Sequence, residues 1–372
     1  MRILLTGAGG FLGWHTRLRL AALTDHEVVP ITRENWSELD SLVAGADSVI
    51  HLAGVNRADS DDEVEQGNVR LGEDIATAVA AAGKPIRIDM SGTIQVEGDN
   101  AYGRGKLAAQ NAIAKAARAV GGQFIDVCLP NLFGEHGRPK YNSFVATFVH
   151  ATICGESPQI SDNQVELLHV QDAAQALLDA LETDQDRLRP EGVQTGVVEV
   201  WEMLQEFHRS YVPVGEIPDL SSKFRIDLFN TYRAGLFPEH YPIALVPHSD
   251  PRGSFVETVR CRGGEGQSSF SSTVPGITRG EHYHLVKIER FAVIQGTARI
   301  SLRKMFHDEV LDFDVTGEQP VAIDMPVGWV HNITNTGEDI LLTQFWSHEL
   351  FRPEAPDTFA EPVRPSQKET SQ

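Results

Sequence analysis

The sequence predicts an α/β domain built on a doubly wound parallel sheet, followed by a smaller all-β domain. Over residues 1 to about 210, short β-rich apolar runs alternate with alanine-rich helical stretches, and a glycine-rich turn joins the first run to the first helix. From Ile243 to Phe351, short β-branched and aromatic runs are separated by glycine and proline turns, which is typical of a barrel or sandwich.

The elements of the first domain follow from this alternation. The predicted strands are Arg2–Thr6, Glu27–Ile31, Ser48–Leu52, Arg87–Met90 and Gln123–Leu129. The predicted helices are Gly10–Leu23, Gly67–Ala82 and Tyr102–Val120. After Tyr211, scattered prolines indicate an irregular domain junction. We therefore expect domains at residues 1–240 and 241–351, then a polar tail at 352–372 that is disordered or lies on the surface.

Composition excludes several classes of function. The 52 acidic and 32 basic residues give a net charge of −20, which repels nucleic acid and anionic membranes, so we expect neither as a partner. No apolar run is long enough to span a membrane, and the first residues enter a strand, so we expect a cytoplasmic protein. Cys128, Cys154 and Cys261 are too few and too widely spaced to predict a disulfide framework.

The glycine-rich turn predicts a dinucleotide site. Gly7, Gly10 and Gly13, with Phe11 and Leu12 between them, stand where backbone N–H groups and the helix dipole would meet a pyrophosphate. This spacing resembles the T-G-x-x-G-x-x-G motif of extended short-chain dehydrogenases/reductases. The alternative is a tight strand-to-helix turn without a ligand.

Arg33 favours NADPH over NADH. It follows the second predicted strand, where an acidic residue would bind a ribose hydroxyl and an arginine suits a 2′-phosphate. A surface arginine in a loop is the alternative. After the third strand, Leu52, Ala53 and Gly54 resemble the dehydrogenase family's H-x-A-G loop, whose small residues let the backbone approach the cofactor. We expect His51 to be structural.

A tyrosine and a lysine predict a reductase centre. Tyr102 and Lys106 lie four residues apart on one helix face, where the ammonium group can stabilise the phenolate as Tyr102 gives up its proton. Thr93 supplies a hydroxyl for a substrate carbonyl, with Ser91 in reserve. The resemblance to short-chain dehydrogenases implies that Lys106 also holds the nicotinamide ribose. Two residues of a solvated helix are the alternative.

Three histidines and a carboxylate predict a metal site in the second domain. His282 and His284 alternate along one predicted strand, Glu289 follows, and His331 lies on a neighbouring strand. Nitrogen and oxygen ligands of this kind suit zinc first, while nickel, manganese and iron stay open. A barrel that has lost its metal is the alternative. The spacing of these residues resembles both cupin motifs, although Pro320 replaces the leading glycine of the second.

The order of these parts resembles the CapF-like family of bifunctional capsular polysaccharide enzymes along residues 1–350. The resemblance implies a Rossmann-type reductase followed by a cupin barrel, a UDP-sugar substrate and a place in the route to UDP-N-acetyl-L-fucosamine. The barrel would invert C3 of a 4-keto sugar, and the reductase would then reduce C4. Because cupin barrels commonly pair, we expect a homodimer. A reductase with a structural cupin, a non-catalytic binding protein, and dTDP in place of UDP stay open.

The resemblance also implies the substrate contacts. Asn131 would contact the nucleotide sugar, while Arg138, Lys140 and Asn142 line the following loop and bring positive charge near a diphosphate. Arg252 resembles the R-G-x-F segment of cupin sugar-nucleotide epimerases and would contact phosphate or sugar. A solvated basic loop and a strand-entry arginine are the respective alternatives.

Overall fold

The computed structural model describes residues 1–365. Contacts divide the chain into two compact units, the first made of Met1–Thr147 and Ser161–Val197, the second of Phe148–Ile160 and the chain from Val198 onward. This contact division groups residues 198–240 with the all-β region. The domain boundary at residue 240 stays a prediction. Within the described part of the chain, no helix has the length and apolar character needed to span a membrane.

The first unit alternates strands and helices as the sequence predicts. Its elements, with α5 continuing into the second unit, are β1 (Arg2–Thr6), α1 (Phe11–Leu23), β2 (Glu27–Ile31), α2 (Leu39–Ala44), β3 (Ser48–His51), α3 (Asp61–Ala82), β4 (Arg87–Thr93), α4 (Ala101–Ala119), β5 (Gln123–Leu129), β6 (Asn131–Phe133), α5 (Phe144–Cys154), β7 (Gln164–His169), α6 (Val170–Ala180), β8 (Arg187–Leu188) and β9 (Val193–Gly196). Helix α3 begins six residues before its predicted start, since Ser60 caps it by accepting a hydrogen bond from the Glu63 N–H.

The predicted doubly wound parallel sheet is confirmed. Six strands pair in the order β2-β1-β3-β4-β5-β8, all parallel. Leu4 of β1 packs into a cluster with α2, α3 and α4, whereas its neighbours Ile3 and Leu5 pack into a second cluster with α1 and α6. Alternate side chains of β1 therefore pack into two different cores, one on each face of the sheet, and helices cover both faces. The strand order reverses between β1 and β3, where such sheets bind their ligands.

The second unit contains two helices and the all-β region. Its elements are α7 (Val197–Val214), β10 (Ile217–Asp219), α8 (Lys223–Leu236), β11 (Ile243–Ala244), β12 (Pro247–Asp250), β13 (Gly253–Val256), β14 (Cys261–Gly263), β15 (Gln267–Thr273), β16 (Thr278–Tyr283), β17 (Glu289–Gln295), β18 (Thr297–Lys304), β19 (Val310–Thr316), β20 (Val321–Met325), β21 (Trp329–Asn335), β22 (Leu341–Ser347) and β23 (Phe359–Ala360).

The predicted all-β barrel is confirmed as two antiparallel five-stranded sheets, ordered β11-β20-β17-β22-β15 and β19-β18-β21-β16-β23. The core contains Phe291 and Ile323 from the first sheet, and Ile300 and Ile333 from the second, all buried. On β18 the opposite pleat is exposed at Thr297 and Arg299, whereas on β17 both neighbours of Phe291, Arg290 and Ala292, are buried as well.

The predicted irregular junction is wrong over residues 223–236, which form helix α8. The Ser222 side chain caps the helix by accepting a hydrogen bond from the Arg225 N–H at 3.3 Å. Leu228, Phe229 and Tyr232 are fully buried on it. The prolines lie outside α8, so they mark its ends and do not interrupt it.

The predicted polar tail packs against the barrel as far as the structure describes it. Strand β23 pairs with β16, Val363 is completely buried, and the Arg364 guanidinium donates to both Asp312 carboxylate oxygens at 2.8 Å. Composition gives no sign of this because the pairing uses backbone groups. Residues 366–372 lie outside the described residues.

Candidate active site and metal centre

The glycine turn lies at the reversal of strand order in the first unit. Gly7 has a φ of +69°, and a Cβ there would lie 2.8 Å from the backbone nitrogen of Ala53. A Cβ on Gly13 would overlap the carbonyl oxygen of Gly7. Helix α1 begins directly afterwards at Phe11, with no side-chain cap and no acidic residue in its first turn. Its first N–H groups are therefore available to an anion such as a pyrophosphate.

A buried pair of side chains holds the loop after β3 beside this turn. The Thr6 hydroxyl oxygen accepts from the Leu52 and Ala53 N–H groups at 3.1 and 3.2 Å, so its single proton points to His51 Nδ1, 2.8 Å away. Burial, together with the charge of Lys106, lowers the pKa of His51 to about 3. His51 is therefore neutral, and this structural contact is the role that the sequence predicts for it.

Arg33 lies in the exposed loop after β2, with no hydrogen bond or ion pair to any residue of the described chain. Its guanidinium is therefore available to a ligand. The preference for NADPH that rests on this arginine stays a prediction.

Tyr102 and Lys106 lie in the first two turns of α4, which Asn100 caps by accepting from the Gly103 N–H at 2.8 Å. Burial lowers the pKa of Lys106 to about 8. Burial, assisted by Tyr141, raises the pKa of Tyr102 to about 12. The expected lowering of the Tyr102 pKa by Lys106 is therefore absent in this structure, because burial favours the neutral phenol. Tyr102 is fully protonated at neutral pH, as a proton donor must be.

Thr93 and Ser91 both lie on β4 and are buried. The Thr93 hydroxyl oxygen accepts from the Gln95 N–H at 3.2 Å, which leaves its own proton for another acceptor. Ser91 already donates, through a long 3.4 Å bond, to the carbonyl of His51. Thr93 is thus the better placed donor to a substrate carbonyl.

The predicted substrate residues follow β6. Asn131 is exposed and its amide donates to the Glu166 carbonyl at 3.3 Å. Arg138, Lys140 and Asn142 are exposed on the next loop, where Lys140 has a φ of 56° and its N–H donates to the Thr147 hydroxyl. Tyr141 lies on the same loop, between Lys140 and Asn142, and the sequence alone indicated no role for it.

The four predicted metal ligands converge inside the barrel. The Nε2 atoms of His282, His284 and His331 lie 3.9, 3.0 and 3.4 Å from Oε2 of Glu289. One ligand atom from each of these four residues lies within 4.8 Å of every other. A β-bulge between Gly280 and His282 redirects the end of β16, which carries His282 and is followed directly by His284.

Backbone carbonyl oxygens hydrogen-bond to the Nδ1 atoms of two of the imidazoles. Nδ1 of His284 lies 2.6 Å from the Asp357 carbonyl oxygen, and Nδ1 of His331 lies 3.0 Å from that of Trp329. A carbonyl oxygen only accepts, so each Nδ1 must donate, and each Nε2 faces Glu289.

The electrostatics of the cluster fit a cation. Burial opposes ionisation of Glu289, but the three imidazoles outweigh it and hold the pKa of this carboxyl well below its usual range. Burial lowers the pKa of His331 to about 4, which keeps this imidazole neutral. Its buried Nε2 makes no hydrogen bond among residues 1–365. An ionised carboxylate beside a neutral imidazole whose buried nitrogen has no hydrogen-bond partner in the described chain is a donor set that suits a divalent metal.

Asp357, within the predicted tail, is a residue that the sequence missed. Its carboxylate accepts from the N–H groups of Leu285, Val286 and Lys287 at 2.9, 2.9 and 2.7 Å. It thereby fixes the loop that joins the ligands on β16 to Glu289 on β17. A lone aspartate in a polar, proline-rich segment carries no signal of this role.

A cavity of about 150 Å³ reaches Glu289 within the second unit, with Lys287 and Glu349 also on its wall. The Lys287 ammonium is buried and donates to the Pro356 carbonyl and the Thr358 hydroxyl at 3.1 and 3.0 Å. Arg252 does not line this cavity. It lies on the turn of the exposed β12–β13 hairpin, paired with Asp250 at 2.5 Å.

Comparisons with known proteins agree with this architecture. Residues 3–196 match the NAD dependent epimerase/dehydratase family, and residues 248–359 match the polysaccharide biosynthesis C-terminal domain. The UDP-2-acetamido-2,6-beta-L-arabino-hexul-4-ose reductase of Pseudomonas aeruginosa is 35% identical over 97% of this chain and 98% of its own length. The crystal structure of the capsular polysaccharide assembling protein CapF from Staphylococcus aureus is 32% identical, covers 97% of this chain and 100% of its own, and superposes with a TM-score of 0.62.

The chain belongs to the CapF-like family. A shorter relative, the spore coat polysaccharide biosynthesis protein SpsL of Bacillus subtilis, is 30% identical over 30% of this CapF-like chain and 81% of its own length. The CapF-like architecture thus joins an epimerase/dehydratase unit to a barrel in one polypeptide.

Proposed function

We propose that this chain is a bifunctional nucleotide-sugar enzyme. The barrel inverts C3 of a UDP-linked 4-keto-6-deoxy-N-acetylhexosamine, and the α/β unit then reduces C4 with NADPH, towards UDP-N-acetyl-L-fucosamine and surface polysaccharide. Membership of the CapF-like family supports an NAD(P)-dependent nucleotide-sugar epimerase/reductase in polysaccharide biosynthesis. The convergence of three imidazole nitrogens on the Glu289 carboxylate carries the further assignment of epimerisation.

The reductase residues supply a proton and orient a ketone. NADPH supplies the hydride when it is bound at the glycine turn, the Leu52–Gly54 loop and Arg33. Thr93 donates a hydrogen bond to the C4 carbonyl oxygen, and Tyr102 transfers its phenolic proton to that oxygen as the alcohol forms. Lys106, positively charged below a pH of about 8, stabilises the resulting phenolate.

The barrel residues handle the same ketone earlier. His282, His284, Glu289 and His331 would hold a divalent metal, with zinc as the first choice. Such a cation supplies Lewis acidity, which lowers the pKa of the C–H group beside a ketone. Proton transfer at C3 then falls to a titratable side chain on the cavity wall, and Lys287 and Glu349 are the two candidates. Burial raises the pKa of Glu349, which strengthens it as a base.

The decisive experiment is performed in deuterated water. UDP-N-acetylglucosamine, a 4,6-dehydratase and this protein are combined with and without NADPH, and the products are identified by mass spectrometry and NMR. Without NADPH we expect deuterium at C3 of the keto sugar. With NADPH we expect a C4 alcohol, the UDP-6-deoxy-L-talosamine derivative.

Two variants separate the half-reactions. Tyr102→Phe should stop NADPH oxidation and leave deuterium exchange at C3, whereas His331→Ala should abolish exchange and spare reduction of a substrate already inverted at C3. Equal loss of both activities in both variants contradicts this division. Reduction without any C3 exchange in the wild-type protein would instead favour a structural barrel, and no NADPH oxidation with any UDP-4-keto sugar would favour a binding protein.

A further inference from the structure

Two guanidinium groups converge on one tyrosine ring in the first unit. The Cζ atom of Arg138 lies 5.1 Å from the centroid of the Tyr141 ring, and the Cζ atom of Arg57 lies 5.7 Å from the same centroid. Arg57 belongs to the loop that follows β3, and Arg138 to the loop that follows β6. The two arginines are distant in sequence, so tertiary folding alone brings their positive charges together around this ring.

Neither arginine has a carboxylate partner among residues 1–365, although acidic residues outnumber basic ones by 52 to 32. Several other exposed arginines in this unit do pair with carboxylates. Arg104, for example, pairs with Glu65 at 2.8 Å and with Asp99 at 2.6 Å. Two uncompensated cations that share a ring repel each other, and a ligand with two or more negative charges removes that repulsion.

The position of the pair relates it to the reductase centre. The loop that carries Arg57 begins with Leu52, Ala53 and Gly54 beside the glycine turn. Tyr141 is electrostatically coupled to Tyr102, because it contributes to the raised pKa of that phenol. An anion held at the two arginines therefore lies close to the hydroxyl that donates the proton.

We propose that Arg57, Arg138 and Tyr141 form the diphosphate-binding site for the nucleotide sugar. The guanidinium groups bind the phosphate oxygens, and the Tyr141 ring keeps both groups in place through cation–π contacts. NADPH also carries a pyrophosphate, but the helix N-terminus and glycine turn already provide the N–H groups for it. This inference rests on the proposed function and adds Arg57 and Tyr141 to it.

The test measures binding of UDP and of NADP⁺ separately, by calorimetry on the full chain. We expect Arg57→Ala and Arg138→Ala each to weaken UDP binding about tenfold and to leave NADP⁺ binding within twofold of wild type. Tyr141→Leu should weaken UDP binding in the same way, and Tyr141→Phe, which keeps the ring, should not. In turnover, the arginine variants should raise KM for the nucleotide sugar and change kcat little.

Arg118→Ala is the matched control. Arg118 is an exposed arginine in the last turn of α4, near the amino ends of the strands, whereas the glycine turn follows the carboxyl end of β1. Its replacement should therefore change neither UDP affinity nor NADP⁺ affinity. Retained NADP⁺ binding and an unchanged Tm show that the Arg57 and Arg138 variants are folded.

UDP affinity equal to wild type in both arginine variants overturns the inference, and so does a loss of NADP⁺ affinity in place of UDP affinity, which would assign the pair to the cofactor. A wild-type protein that does not bind UDP also overturns it. The proposed function fails separately: arginine-dependent UDP binding without any reduction of a 4-keto sugar refutes the function and leaves the site intact.

Discussion

At the scale of single residues, burial moves the two reductase side chains in opposite directions. The same loss of hydration lowers the pKa of Lys106 to about 8 and raises that of Tyr102 to about 12. In each case the neutral form is favoured. Tyr102 therefore stays protonated at neutral pH. The ammonium charge of Lys106, which stabilises the Tyr102 phenolate, is lost at mildly alkaline pH.

Lys106 makes the reduction depend on pH. The charged form of Lys106 is present below its folded pKa of about 8 and is lost as the pH rises through that value, so kcat for C4 reduction should fall above about pH 8. The carboxylate of Asp126 raises the Lys106 pKa, so Asp126→Asn should move this limb about one unit towards lower pH. The measurement is a pH profile of NADPH oxidation at saturating substrate.

Asp89→Asn is the control for that profile. Asp89 is another buried aspartate, on β4; burial raises its pKa to about 7 against the opposing effect of Arg87, and Lys106 does not contribute. Its replacement should leave the alkaline limb in place. A limb that does not move in Asp126→Asn would show that another group controls it.

At the scale of secondary-structure elements, the loop between β16 and β17 determines the geometry of the metal ligands. Asp357 accepts three backbone hydrogen bonds from this loop through its carboxylate, and its carbonyl oxygen accepts from His284 Nδ1. A hydrogen bond from the ring nitrogen that does not bind the metal fixes the orientation of a histidine ring and increases its affinity for a metal. One residue of the C-terminal segment therefore acts on both the loop and a ligand.

Asp357→Ala should weaken zinc binding by about 10- to 100-fold, because His284 loses a fixed acceptor when the segment moves. The measurement is competition between the protein and a chromophoric chelator. Asp308→Ala, which removes an exposed aspartate after β18, is the control and should bind zinc as wild type does. If Asp357→Ala lowers Tm but leaves zinc affinity unchanged, the residue supports the fold and not the metal site.

At the scale of the molecule, a buried charge network explains why residues 198–240 group with the barrel. Arg290 of β17 donates to both oxygens of Asp324 on β20, at 2.6 and 2.9 Å. Tyr211 of α7 donates to the same carboxylate at 2.5 Å and shares a 2.6 Å hydrogen bond with Tyr241. Tyr211 of the helix thus hydrogen-bonds to the buried barrel carboxylate, and separating the helix from the barrel would remove this bond from a buried polar group. The homodimer stays a prediction at this scale.

Asp324→Ala should destabilise the protein by about 3–5 kcal/mol, because it leaves the fully buried Arg290 uncompensated. Burial opposes ionisation of Asp324, but Arg290 outweighs it and lowers its pKa. The stabilisation that ionised Asp324 gives is therefore fully present above the pKa of this carboxyl in the unfolded chain. It is lost as the pH falls through the lower pKa of Asp324 in the folded protein. Urea unfolding at a series of pH values measures both effects, and a variant with wild-type stability would contradict them.

The control for this network is Asp314→Ala. Asp314 pairs with Arg299 at 2.9 Å on the barrel surface, where both side chains are hydrated. An exposed pair contributes little to stability, so this variant should unfold close to wild type.

Several elements with a local signal could be predicted from the sequence alone. Strands β1, β2 and β5 have the predicted bounds, since each apolar run is short and bounded by turn residues. The glycine turn, the Tyr102–Lys106 pair and the alternating histidines His282 and His284 were also visible in the sequence, because fixed spacing places such residues on one face of an element. The order of these motifs indicated the resemblance to the CapF-like family, to which the chain belongs.

Features that depend on residues distant in sequence became visible only in the folded chain. It brought Asp357 behind His284 and Arg57 beside Arg138, and it placed helix α8 with the barrel, all through contacts between segments that no local pattern relates. It also reversed the expected shift of the Tyr102 pKa. Spacing along a helix specifies which side chains are neighbours, but burial depends on everything packed around them, and here the loss of hydration raises the pKa of Tyr102.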